Sequence, residues 1–177
     1  GTTYKLSKHF DEKSSNLLQV SFSSNQKVEA YIYFEEVLLP EARQVVEKLY
    51  SEDFEVMMLS GDKRSRVLEA ARSLAIRPAY AFSEQSFLQK AEVVREQNPC
   101  MFVGDGLNDL EALKQASVSF AVRGPFEATL QVSDIYAPQK KLSAISEIVD
   151  LSKTVQSTVH GNLLFAVFYN AVRGVLA

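Results

Sequence analysis

The chain has 177 residues, enough to bury a sizeable core in one domain with an appendage. Apolar residues supply 46% and charged residues 23%, with only 7 Gly and 5 Pro, which excludes disorder, collagen-like repetition and a long flexible linker. With 19 basic against 22 acidic side chains the formal net charge is -3, so no basic surplus calls for nucleic acid, and a single cysteine excludes a disulfide framework and fits a reducing compartment.

The Gly1-Thr2-Thr3 start carries no charged-then-apolar leader, so no signal peptide is expected, and both ends read as cut rather than finished. Residues 17–23 and 27–34 are β-rich around the polar turn Ser24-Asn25-Gln26 and predict a hairpin. Pro40 sits where a first helical turn tolerates it, and Ala42, Val45, Val46, Leu49 and Tyr50 then repeat at helical spacing. From there short apolar strands alternate with helices. Strands are predicted at 54–59, 79–82, 100–103, 118–122 and 134–136. Helices are predicted at 64–75, at 84–97, around Leu107, Leu110 and Leu113, and as a short piece between the last two strands. Strands apolar on both faces, each followed by a helix, indicate a doubly wound α/β domain with a parallel sheet, over roughly 38–138. Leu142, Ile145, Ile148, Val149, Val155 and Val159 mark a longer helix that leads into an apolar tail, 163–177, shorter than the roughly 20 residues a membrane span needs.

Ligands of such sheets bind beyond the carboxyl ends of the strands. Strand 54–59 runs into Ser60-Gly61-Asp62, strand 100–103 runs into Gly104-Asp105-Gly106-Leu107-Asn108-Asp109, and helix 84–97 carries Lys90. If the strands are parallel, these residues fall at one edge of the sheet. The spacing of Asp105 and Asp109 across a strand-to-helix turn lets Asp105 ligate a hard cation such as Mg²⁺, with Asp109 supporting it or a bound water. Gly104 and Gly106 remove side chains where a phosphate or another loop approaches, and Asn108 can hydrogen-bond across to a neighbouring loop. The Ser60 hydroxyl can donate to a phosphoryl oxygen, and Lys90 can neutralise phosphoryl charge. The plainer alternatives are an acidic turn with Asp105 near a helix N-cap, Asp62 as the cap of the helix that follows, and Lys90 as a solvated surface lysine. No Asp-Lys-Thr-Gly-Thr string occurs, and Asp62-Lys63-Arg64-Ser65 lacks the small residues a nucleophile loop of that kind needs.

These residues resemble the phosphorylation domain of P-type ATPases, a branch of the haloacid-dehalogenase-like superfamily. Ser60-Gly61-Asp62 is similar to that family's Thr-Gly-Asp, and Gly104 to Asp109 match its Gly-Asp-Gly-x-Asn-Asp in full. Lys90 falls at the family's motif lysine, with Phe87-Leu88-Gln89 in place of the usual Pro-Glu-Asp lead-in. Residues 34–42 are similar to the family's Asp-x-Leu-Arg-Pro-Glu-Ala passage from strand to helix, with Glu36 for the Asp and Leu39 for the Arg. Tyr169-Asn170 resembles the Tyr-Asn pair that helps ligate the transported ion in the heavy-metal subclass, while Arg173 departs from a membrane-buried pattern.

The resemblance implies a fragment of an ATP-driven pump for a copper-like cation. It would lie in a cell or inner membrane, with its catalytic domain on the cytoplasmic side and its C-terminal helix in the bilayer. Residues 1–33 would end a nucleotide-binding domain, 34–140 would be the phosphorylation domain, and 141–177 would connect to and begin a membrane helix. Ser60, Gly61, Asp62, Lys90 and Asn108 would serve catalysis, Gly104 and Gly106 the cofactor, and Asp105 and Asp109 the Mg²⁺. ATP would be held mainly by parts absent from this chain, and no nucleic acid is expected. A degenerate soluble phosphatase or binding domain of the same superfamily is the alternative. A response-regulator-like domain is a third reading, at odds with the order of the acidic residues. Cys100 reads as a buried thiol, and His9 and His160 have no ligand-spaced partner.

Overall fold

The computed structural model describes residues 3–10, 17–25, 27–35, 37–105, 107–122, 130–137 and 141–176. The chain divides into two compact units, one of residues 1–40 with 57–86 and the other of 41–56 with 87–177.

The first unit opens with an antiparallel sheet of three strands, β1 (Tyr4–Phe10), β2 (Leu17–Ser24) and β3 (Lys27–Glu35), in that spatial order. The expected hairpin is β2–β3, with Val20 opposite Ile32 and a register shift between Phe22 and Ser23. β1 was not expected, although Tyr4 and Leu6 alternate with Lys5 and Ser7 at the strand period of two. Leu6 faces Phe22 across the ladder, and the Tyr4 ring stacks on Phe22 at 5.8 Å between centroids. β4 (Met58–Leu59) then pairs in parallel with β5 (Ala81–Phe82), and α2 (Arg64–Ser73) makes the crossover that a parallel pair requires. Val67, Ala71, Leu74 and Ile76 are the buried residues of that crossover.

The strand expected at 54–59 shrinks to its last two residues. Asp53 takes a left-handed backbone (φ 63°) and the Phe54 N–H donates to the Leu49 carbonyl at 3.0 Å, so 52–54 close the preceding helix instead.

The second unit contains α1 (Ala42–Ser51) and a parallel sheet of β6 (Met101–Gly104), β7 (Val118–Val122) and β8 (Ile135–Ala137), in the order β6-β7-β8. α3 (Phe87–Glu96) precedes β6, while a 3-10 turn at Leu107–Asp109 and α4 (Leu110–Gln115) link β6 to β7. Phe120 and Leu113 are fully buried, and Phe120 clusters with Val45, Val122 and Ile145. This is the parallel α/β architecture that the short apolar strands implied. The short helix expected before β8 falls on 123–129, outside the described residues. The chain closes in one continuous helix, α5 (Ser143–Leu176). Its first two turns bury Ile145 and Val149, and Lys48–Asp150 (2.6 Å) and Lys153–Glu52 ion pairs tie it to the end of α1. From Leu151 onward its described side chains are exposed. Among the described residues no helix is long and apolar enough to cross a membrane.

At the start of β7, Ser119 is 3% exposed and donates from both its N–H (2.8 Å) and its hydroxyl (2.7 Å) to the Asp134 carboxylate. The N–H bond and then the hydroxyl bond hold the Asp134 carboxyl below the ordinary carboxylate range. A carboxyl depressed in the folded state contributes stability that is complete above its unfolded pKa, about 3.9, and is lost as pH falls through the lower folded value. Urea midpoints followed from neutral pH into acid are therefore expected to fall more steeply for the native chain than for Asp134→Asn. Superimposable acid limbs would show that this carboxylate is not a source of the loss.

Candidate functional site

The second unit's polar centre is built at the carboxyl end of β6. Gly104 is the buried last residue of the strand, and Asp105 leaves the sheet with its side chain exposed. Asp109 is the N-cap residue of α4 and lies 8% exposed, yet its carboxylate caps no helix N–H. One oxygen, Oδ1, accepts from Lys90 Nζ at 2.8 Å. The other, Oδ2, accepts from the Asp105 N–H at 3.4 Å. The Lys90 and Asp109 side chains are 14% and 12% exposed, so this pair is shielded from the solvent screening that weakens surface ion pairs. Lys90 is therefore not a solvated surface lysine.

Gly104 is what lets Asp109 come this close. A Cβ on Gly104 would lie 2.8 Å from the Asp109 Cβ and 3.1 Å from the Phe102 ring. The Asp105 carboxylate makes no hydrogen bond or ion pair with another described residue. Asn108 is exposed in the 3-10 turn, and Gly106 lies outside the described residues.

The first unit holds the other polar loop, at the end of β4. The Ser60 hydroxyl accepts from the Asp62 N–H (3.1 Å) and donates to Asp62 Oδ2 (2.8 Å), which fixes its rotamer. α2 starts after Lys63 with no side-chain cap, so Asp62 is engaged by Ser60 rather than capping the helix. Two residues that sequence reasoning missed complete this loop. The Glu84 N–H donates to the Asp62 carbonyl and the Gln85 N–H to the Ser60 carbonyl, each at 2.9 Å. The helix expected from residue 84 therefore begins only at Phe87, because the backbone of 84–85 is committed to the Ser60 loop and Glu84 is left-handed (φ 56°). No periodicity marks such a residue, and only the polar Ser83-Glu84-Gln85-Ser86 run hinted at a loop.

The structure thus joins Lys90, Asp109 and the Asp105 backbone in one unit, and Ser60 with Asp62 in the other. Tyr169 and Asn170 lie on the exposed length of α5, where the Tyr169 ring stacks on Phe165 at 6.5 Å. Among the described residues no group of three or more His, Cys, Asp or Glu could hold a metal ion. Burial pushes the Cys100 thiol up, and it remains partly accessible.

The family model described as haloacid dehalogenase-like hydrolase matches residues 5–117, more than half of the chain. A copper-exporting P-type ATPase B of Archaeoglobus fulgidus is 30% identical over 148 residues, which are 83% of this chain and 21% of that protein. The chain spans about a fifth of the length of the curated relatives it matches. Among solved structures, a zinc-transporting PIB-type ATPase in its E2.Pi state shares the fold, with a TM-score of 0.69 at 21% identity over 85% of this chain and 25% of that one. The catalytic domain of the CPx-ATPase CopB-B matches at 26% identity and a TM-score of 0.56, over 75% of this chain and 52% of that domain.

Proposed function

The chain belongs to the haloacid dehalogenase-like hydrolases, and from that membership we propose that it forms part of the phosphorylation domain of a heavy-metal P-type ATPase. In this reading it holds Mg²⁺ and supports formation and hydrolysis of an aspartyl phosphate whose nucleophile is not among these residues. Residues 1–33 would end the nucleotide-binding domain, 34–140 would be the phosphorylation domain, and 141–177 would connect to a membrane helix that leaves the catalytic part on the cytoplasmic side. ATP would phosphorylate the whole protein, and a copper-like cation would be its cargo, with Tyr169 and Asn170 near its path.

The observation that carries this reading is the shielded Lys90–Asp109 pair beside an unengaged Asp105 carboxylate, at the strand end where such sheets bind ligands. Asp105 fits a hard cation that takes only oxygen ligands and keeps several waters, which one or two carboxylates suffice to anchor. Magnesium bound there would neutralise charge on the phosphoryl oxygens. The chain's own residues do the rest. Asp109 orients the Lys90 ammonium through one oxygen, braces the Asp105 backbone through the other, and keeps lone pairs with which to support the cation or a bound water. Lys90 meets phosphoryl charge as it develops, with little reorganisation because it is already held. Asn108 and Gly104 shape the approach, Gly106 does the same by the family pattern, and within the other unit the Ser60 hydroxyl and the Gly61 N–H serve as phosphoryl donors.

The test is a titration of the chain with inorganic phosphate, with and without Mg²⁺, followed by amide NMR. Magnesium is expected to tighten phosphate binding in the native chain and to have no effect in Asp105→Asn. Equal magnesium dependence in both proteins would refute the role of Asp105.

A further inference from the structure

We propose that residues 83–86 are a positioning strap that sets the Ser60 loop for a phosphoryl oxygen, with Glu84 and Gln85 as its positioning residues. The proposal rests on the phosphoryl reading of Ser60 and goes beyond it, because neither residue touches the ligand. The Ser60 carbonyl accepts from the Gln85 N–H and the Asp62 carbonyl from the Glu84 N–H, each at 2.9 Å. A trans peptide is planar, so a carbonyl turned toward the strap turns the N–H of the same peptide away from it. The Gly61 and Lys63 N–H groups are thereby aimed at the opposite side of the loop. Backbone N–H groups aimed in this way beside a helix start form the arrangement that favours a bound anion.

The strap is held at a cost. Glu84 sits at φ 56°, a left-handed conformation that disfavours any residue with a Cβ, and no glycine relieves it. Such an outlier persists only where surrounding bonds over-determine it, and the two carbonyl acceptors at Ser60 and Asp62 do so here. Gly61 fits the same geometry, since a Cβ there would press on the Gln85 carbonyl oxygen at 3.3 Å. Ser86 is covalently followed by α3, so the segment that orients the hydroxyl loop is also the lead-in to the helix carrying Lys90.

The experiment is phosphate titration of the full chain with Mg²⁺ present, read at the Gly61 amide, together with a melting temperature for each variant. Glu84→Gly accepts the left-handed backbone and should keep native phosphate affinity. Glu84→Val resists it and should weaken phosphate about tenfold, the worth of one lost oriented hydrogen bond to a charged group. Gln85→Ala keeps the N–H and should bind as the native chain does. Adding Ser60→Ala to Glu84→Val should cost less than Ser60→Ala costs alone, a coupling that general loss of stability would not produce. Should Glu84→Val fail to fold, hydrogen exchange on the native chain decides: phosphate should slow exchange at the Glu84 and Gln85 amides, and unchanged rates would overturn the strap. Native affinity in folded Glu84→Val, with Ser60→Ala weakened, overturns the strap alone. Absence of phosphate binding by the native chain, or no effect of Ser60→Ala, overturns the phosphoryl reading and the strap with it.

Discussion

Asp109→Ala is expected to destabilise the chain by about 3 kcal/mol, because it strands a shielded ammonium rather than merely deleting a contact. Lys90 is 14% exposed, so water cannot fully replace the lost carboxylate oxygen, and the Asp105 N–H loses its acceptor as well. Removing both charges is a different matter. Lys90→Met with Asp109→Leu replaces the pair by apolar side chains of similar volume, a change that is often neutral for buried pairs. Urea denaturation should therefore show the double variant recovering most of the stability lost by Asp109→Ala. Phosphate titration should show no recovery of binding, since the ammonium is gone. That divergence separates a pair kept for its chemistry from one kept for the fold. A double variant as unstable as Asp109→Ala would mean that the charged groups themselves, rather than the volume they fill, hold the fold here, and the functional assignment of the pair would lose its support.

The legibility of these parts in the sequence followed the range of the interactions that fix them. β7 was readable to the residue because Val118, Phe120 and Val122 are strand formers in a short segment that buries Phe120, Ala121 and Val122. The turn after β6 was readable because its glycines and carboxylates lie within a few residues of one another. The Lys90–Asp109 bond, in contrast, joins residues 19 apart in sequence, and no local pattern encodes a pairing at that range; the parallel-sheet reading brought the two to one sheet edge, and the family resemblance put them in one site. The misplaced boundaries share a cause. Phe54 looked like the first residue of a strand and Glu84 like the first residue of a helix. In each case a single left-handed residue, Asp53 or Glu84, lets a backbone N–H bond outside the expected element. Side-chain hydrophobicity carries no trace of that choice, which depends on where backbone donors find acceptors. β1 was legible in principle, but its alternation is short, because Lys8 stands where a third apolar residue after Tyr4 and Leu6 would fall.

Gly104→Ala should disable the site without touching any of its polar groups. The new Cβ would lie 2.8 Å from the Asp109 Cβ, closer than carbon atoms pack, and 3.2 Å from Asp109 Oδ2. The strand side cannot give way easily: Gly104 is in register with Ala121 on β7, and Ala121 is 0% exposed. The clash must then be relieved by moving the start of α4, and Asp109 moves with it, away from the Lys90 ammonium at 2.8 Å. Overpacking of this kind costs about 1–3 kcal/mol by itself, and loosening the shielded ion pair adds to it. The expected result is a melting temperature well below native together with loss of magnesium-dependent phosphate binding. Gly161→Ala supplies the contrast, because a Cβ there meets nothing within 4 Å. Inside α5 that change should instead stabilise by about 0.5–1 kcal/mol, through the lower backbone entropy of alanine. A Gly104→Ala protein that melts with the native chain and still binds phosphate would show that Asp109 can retreat without releasing Lys90, and the steric argument for glycine at this strand end would fall.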